Sequence, residues 1–113
     1  MMDCLFCKII SGEIPSNKVY EDDRVIAFHD IDMKAPVHYL VIPKAHIESA
    51  AKVTSENEAV IGHIFSVIAK TANELGLTGG YRIVSNCGKD AQQSVGHIHF
   101  HVLGGRALAW PPG

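Results

Sequence analysis

Apolar residues Val60, Ile61, Ile64, Phe65, Ile68, Ala72 and Leu75 recur at the three- and four-residue spacing of an amphipathic helix. The preceding Ser55-Glu56-Asn57-Glu58 has the form of a capping box, and Gly76 offers a stop. Shorter runs fit strands. Val19–Glu21 and Val25–His29 form a hairpin pattern around Asp22-Asp23. Tyr39–Ile42 is a branched apolar run bounded by Pro36 and Pro43. Tyr81–Ser85 reads as a fourth strand, and His97–Leu103, closed by Gly104-Gly105, as a fifth. A short helix over about Leu5–Ser11 ends in the turn Gly12–Ser16. This order predicts an α+β fold with a mostly antiparallel sheet of about five strands, one long helix and one short one.

At 113 residues the default is a single domain, 1–113. An apolar fraction of 47% is too high for a disordered chain. The net charge of −2, without a Lys/Arg-rich run, argues against a nucleic-acid partner. No stretch is long and apolar enough to span a membrane. Met1–Lys8 lacks the basic and apolar regions of a signal peptide, so the expectation is a cytoplasmic protein with no membrane partner. Three cysteines, an odd number, do not suggest a disulfide framework. Seven histidines are many for this length and direct attention to one segment.

That segment is His97-Ile98-His99-Phe100-His101-Val102-Leu103. On a strand, His97, His99 and His101 share one face, and Ile98, Phe100 and Val102 the other. The apolar trio suits packing against the long helix; the imidazole trio has no such structural need. Neighbouring imidazoles repel one another when charged, so most should be neutral at pH 7. Neutral imidazole is a nucleophile and a proton carrier. Two other readings remain open on pattern alone: the polar outer face of an edge strand, and a three-histidine zinc site. The preceding loop, with Asn86, Gly88, Gln93, Ser94 and Gly96, supplies donors and flexible backbone suited to a phosphoryl group, though an ordinary polar turn reads the same way.

The segment resembles the signature of the histidine triad superfamily, three histidines alternating with apolar residues. Phe28-His29-Asp30-Ile31, Leu40–Lys44, Gln93-Ser94-Val95, Gly104-Gly105-Arg106 and Trp110-Pro111-Pro112-Gly113 resemble its Hint branch, in the same order along nearly the whole chain. The resemblance implies a sheet continued across a homodimer. It implies hydrolysis of purine nucleoside phosphoramidates to AMP or GMP, with His99 as nucleophile and a nucleotidyl-histidine intermediate. His101 would contact the phosphate and support departure of the leaving group, with His97, His38 and Ser94 assisting. Asn86 and the Gln93–Val95 backbone would hold phosphate oxygens, and Asp30 the ribose hydroxyls. Leu5, Phe6, Ile9, Phe28, Ile31 and Leu40 would line the base pocket, and Trp110 would reach toward the partner's site. Each apolar position also reads as plain core, and Asp30 alone as a turn acid.

Cys4 and Cys7 resemble the zinc-binding variant of the superfamily, whose remaining ligands correspond to His46 and His97. A closed set of two cysteines and two histidines implies structural Zn²⁺ and no organic cofactor. If zinc takes His97, His38 and His101 carry the support of His99 alone. Gln92 stands where the Hint branch usually has Gly. His63 reads as solvated, His29 as facing solvent or else flanking the site, Cys87 as semi-buried, and Lys44 and Lys89 as surface charges. The rival functions are a dinucleoside polyphosphate hydrolase, which usually lacks the Trp-Pro-Pro-Gly ending, a zinc hydrolase, and a nucleotide-binding regulatory or scaffold protein with incidental hydrolysis.

Overall fold

The computed structural model describes residues 4–113; Met1–Asp3, part of the segment read above for a leader, lie outside them. The elements are α1 (Leu5–Ser11), β1 (Lys18–Glu21), β2 (Val25–His29), β3 (Val37–Pro43), α2 (Glu58–Glu74), β4 (Tyr81–Val84) and β5 (Phe100–Gly104). The strands make one sheet in the order β1-β2-β3-β5-β4, with every neighbouring pair antiparallel. Among the described residues no helix is long and apolar enough to cross a membrane.

Both faces of the sheet are covered. Val25, Ala27, Tyr39, Val41, Phe100 and Val102 pack with the α2 residues Ile64, Val67, Ile68 and Ala72. Ile26, Phe28, Leu40 and Ile42 point the other way and pack with Phe6 of α1. This explains the unbroken apolar runs of β2 and β3: central strands buried on both faces have no polar side to alternate with.

The α2 stripe of Ile64, Val67, Ile68, Thr71 and Ala72 follows the helical period. Phe65, placed in that stripe from the sequence, is 47% exposed and touches the core only edge-on to Phe100. The helix ends as expected at Gly76, whose φ is +79°. There Gly76 N–H donates to Asn73 O and Leu77 N–H to Ala72 O, the paired bonds of a glycine C-terminal cap.

The expected capping box does not form. Asn57 is the residue preceding the helix and makes no side-chain cap bond. Its Oδ1 instead accepts from Thr54 N–H, and Thr54 Oγ1 accepts from Glu56 N–H. The helix begins at Glu58, so Ser55 and Glu58 do not fall at the cap and third helical positions that the box requires. The histidine strand also starts later than the pattern suggests, at Phe100. Ile98 N–H is taken by Ile47 O, which draws His97–His99 out of the ladder. His63 is not simply solvated: its Nε2 lies 2.6 Å from Asp22 Oδ2. Burial works against ionisation of Asp22. Bonds from His63, the Arg24 and Val25 amides and Tyr20 outweigh it and hold the carboxyl far below its usual range. Asp22 thereby pins the β1–β2 turn to α2.

Thr71 Oγ1 donates to Val67 O, so the Tyr39 hydroxyl must donate to Thr71 Oγ1, at 2.8 Å and with both side chains fully buried. Thr71→Val keeps the shape but orphans the Tyr39 hydroxyl. It should cost about 1–3 kcal/mol in urea unfolding, and adding Tyr39→Phe should recover part of that loss.

Candidate active site

The face of the sheet that packs α1 also carries the histidines. His38 on β3 is paired in register with Leu103, and His101 on β5 with Leu40. The two histidines are therefore diagonal neighbours on one face. His97 and His99 lie on the same side, each edge-on to the Phe6 ring at 5.9 Å and 5.0 Å. The alternation read from the sequence persists through residues outside the ladder: Ile98, Phe100 and Val102 are buried with α2.

Hydrogen bonds fix the proton positions on the neutral rings. His99 Nδ1 is 2.8 Å from His97 O. A carbonyl only accepts, so Nδ1 carries the proton and Nε2 keeps a free lone pair. Lys34 N–H donates to His38 Nδ1 at 3.0 Å. His38 Nε2 therefore holds the proton and donates to His101 Nδ1 at 2.9 Å. His101 is left with a proton on Nε2. Asp30 Oδ2 sits 3.3 Å from His38 Nε2.

His99 and His101 open onto a cleft of about 290 Å³ between α1 and the sheet. Leu5, Phe6, Ile9, Phe28 and Leu40 form its apolar wall. Asp30, Ile31, Ser94 and Val95 also line it, and Ile31 is fully exposed. His38 and His97 sit behind this lining, against His101 and Phe6. Asn86 is half-buried and outside the lining. The Gln93 side chain is also outside it, bonded to Gly88 N, Glu48 O and Val95 O, which braces the loop. Trp110 is exposed, lies outside the cleft and stacks over Arg82 of β4 at 5.7 Å. A wider, shallower depression of about 590 Å³ reaches Glu48, Cys87 and Lys89, but no histidine lines it.

A second cluster lies behind Phe6. Cys4 caps α1, accepting from Cys7 N–H, so one turn brings both sulfurs together. Cys4 Sγ is 3.4 Å from His97 Nδ1, and Cys7 Sγ is 3.3 Å from His46 Nδ1 and 3.7 Å from His97 Nδ1. All four donor atoms fall within 4.8 Å of one another. Tetrahedral zinc with ordinary bond lengths sets sulfur and nitrogen ligands about 3.6 Å apart, so these residues fit that ion. His97 Nε2 donates to Pro43 O at 2.8 Å, which leaves Nδ1 unprotonated, as a ligand must be.

Residues 3–108 match the family described as "Scavenger mRNA decapping enzyme C-term binding". The chain is 50% identical over 111 residues to an uncharacterized HIT-like protein of Synechococcus elongatus, covering 98% of this chain and 97% of that one. A HIT family hydrolase from Legionella pneumophila superposes with a TM-score of 0.96 at 46% identity, over 98% of this chain and 100% of that one. A histidine triad nucleotide-binding protein from Candida albicans superposes at 0.83 and 34% identity, over 98% and 85%. The chain belongs to the histidine triad family.

For His101, His38 and His97 the cause that favours the neutral ring differs from the one read from the sequence. Burial, ahead of the His99 and His38 rings, pushes His101 down to about 4, against the pull of Asp30. Burial also lowers His38, opposed by Asp30 and Asp32 and aided by Lys34. Burial lowers His97 too, with His46 and His99 adding to it and the Pro43 bond opposing. Repulsion between imidazoles is the lesser cause. Gln92 adopts φ +61°, a left-handed conformation that glycine takes more readily. Cys87 is exposed rather than semi-buried, and Lys44 pairs with Glu21 at 2.7 Å. His29 lines the cleft, and its Nδ1 is buried without a partner. The turn residues Ser16 and Asn17 also line the cleft. Their only signal in sequence is their place in a short connection between α1 and β1.

Because His101 and His38 have folded pKa values below the unfolded value of about 6.5, the unfolded chain binds more protons as the solution is acidified. Their contribution to stability is full above about pH 6.5 and is lost as pH falls toward about 4. Urea midpoints should drop across that window, and His101→Gln should flatten the drop.

Proposed function

We propose that the cleft binds a purine nucleotide and that His99 hydrolyses nucleoside 5′-phosphoramidates through a nucleotidyl-histidine intermediate, in the manner of the Hint branch. The observation that carries this reading is the His99 ring: Nδ1 is committed to the His97 carbonyl, and the free Nε2 lone pair belongs to a residue of the cleft wall. A neutral imidazole with its proton tied down on the far nitrogen is an activated nucleophile that needs no deprotonation. The likeness to the Legionella hydrolase and the Candida nucleotide-binding protein agrees with it.

The apolar wall of Leu5, Phe6, Ile9, Phe28, Ile31 and Leu40 suits the faces of a purine. Asp30 can accept both hydroxyls of a cis-diol. The Gln93–Val95 backbone would hold phosphate oxygens and Ser94 would hydrogen-bond near the leaving group; Asn86, outside the cleft lining, would make no contact. His99 Nε2 attacks the α-phosphorus, and the bond to the leaving nitrogen breaks. That nitrogen takes one proton as it departs, and His101 Nε2–H is the donor available beside His99. Water then attacks the phosphorus and gives its proton to His101 Nε2, releasing AMP or GMP and restoring both His99 and His101.

His97 serves as a ligand in this account, so His38 supports His101 without it. Zn²⁺ bound by Cys4, Cys7, His46 and His97 would join α1, the β3 exit and the histidine segment. Its contribution would be structural, because all four ligand positions are filled by protein. The chain would work as a homodimer with a continued sheet. The β4 edge supports this, since Trp110 stands over Arg82 there and a partner added at β4 would receive it.

Adenosine 5′-phosphoramidate should be hydrolysed by the wild type, and His99→Ala should lower kcat/KM by about 10³-fold or more while keeping nucleotide affinity. Equal activity in the variant would refute the assignment. A chelator, or Cys4→Ser, should lower the melting temperature of zinc-loaded protein by roughly 10 °C, about 2 kcal/mol at this chain length, while still-folded enzyme keeps its turnover. Abolished turnover with an intact fold would favour a catalytic metal.

A further inference from the structure

The loop between β2 and β3 carries Asp30 at one end and leads into His38 at the other, and it is closed by Asp30 N–H donating to His38 O at 3.0 Å. Within it, Asp32 N–H donates to Asp30 Oδ1 at 2.8 Å. Lys34 N–H donates to His38 Nδ1. The loop therefore orients both the carboxylate and the imidazole. Its outer part has a second hold from a distant segment: the Arg106 guanidinium donates from one nitrogen to Lys34 O at 3.1 Å and from the other to Ala107 O at 3.0 Å.

Gly105 beside it turns with φ +91°, so close to the loop that a Cβ there would come 3.0 Å from Pro36 Cβ. The exit of β5 is thus folded onto residues 34–36. Arg106 reaches this carbonyl with one arm of a planar fork while the other arm fixes the fork to its own backbone.

We propose that Arg106 is a positioning residue for the histidine pair: by holding the Lys34 main chain it keeps the Lys34 amide on His38 Nδ1 and so keeps the His38 proton on the nitrogen that serves His101. Without that amide, no donor among the described residues faces His38 Nδ1; Asp30 Oδ2, 3.3 Å from Nε2, still favours a proton there, so the other neutral tautomer becomes partly available. In that tautomer Nε2 is an acceptor facing the acceptor His101 Nδ1, and the His101 Nε2 proton is no longer set. Only main-chain atoms of Lys34 take part, so its ammonium group is dispensable to this role. The inference rests on the proposed reading for its effect on rate, but the ring tautomer stands independently of any substrate.

The test is ¹⁵N NMR of the histidine rings near neutral pH in wild type, Arg106→Ala, Arg106→Lys and Lys34→Ala, with hydrolysis of adenosine 5′-phosphoramidate measured on the same samples. In wild type and Lys34→Ala, His38 should show an unprotonated Nδ1 and a protonated Nε2. In Arg106→Ala it should show averaging between the two tautomers. There kcat should fall about three- to tenfold with KM within about twofold, the scale of losing one partly exposed charge-assisted hydrogen bond. Arg106→Lys, which can still reach the carbonyl with one donor, should restore part of both. Unchanged His38 signals in Arg106→Ala would overturn the proposal, whether or not its melting temperature falls. Changed signals in a protein inactive on the phosphoramidate even as wild type would uphold the positioning role and refute the substrate assignment instead.

Discussion

Alternation along His97–Val102 ties the histidine face to the main core. Ile98, Phe100 and Val102 are buried against α2 on one side of the sheet, while His97, His99 and His101 emerge on the side covered by α1. A shift of one residue would turn imidazoles into the α2 core and the apolar trio into the cleft. The core thus sets the direction of every ring at the site. The remaining freedom of three rings is removed by a main-chain group, His97 O for His99, Pro43 O for His97 and Lys34 N for His38, and His101 is set in turn by His38. Backbone partners cannot change rotamer, so the tautomers are set by the fold.

The two histidine systems share a wall and divide the work. His97 turns away from His99, donating to Pro43 and directing Nδ1 at Cys4, so it belongs to the sulfur cluster. Its link to His99 is its own carbonyl. Anything that fixes residue 97 therefore also fixes the acceptor that holds the His99 proton away from the cleft. Phe6, the second residue of α1, touches Phe28 and both rings, and couples the N-terminal helix to the same unit.

Strong local patterns were legible in the sequence. The α2 period and its Gly76 stop appear where expected, β2 spans Val25–His29 as read, and α1 spans Leu5–Ser11. The histidine alternation led to the cleft, and Cys4, Cys7, His46 and His97 do lie together. What escaped the reading depends on distant partners. Nothing near Ile98 says that Ile47 takes its amide and delays β5. Asp22 and His63 are 41 positions apart and meet only once α2 lies on the sheet. The capping box failed because the helix begins at Glu58, with Asn57 rather than Ser55 at its cap. Burial of the histidines is a tertiary property, so repulsion was credited with what desolvation does more strongly.

The central claim is that a free His99 Nε2 lone pair attacks phosphorus. The stereochemical course at phosphorus tests it most directly. A nucleoside phosphoramidate made chiral at phosphorus by isotopic or sulfur substitution would be hydrolysed in labelled water and the configuration of the product read by ³¹P NMR. Two successive in-line displacements, first by His99 and then by water, give net retention. Net inversion would mean that water attacks directly, and it would contradict the account.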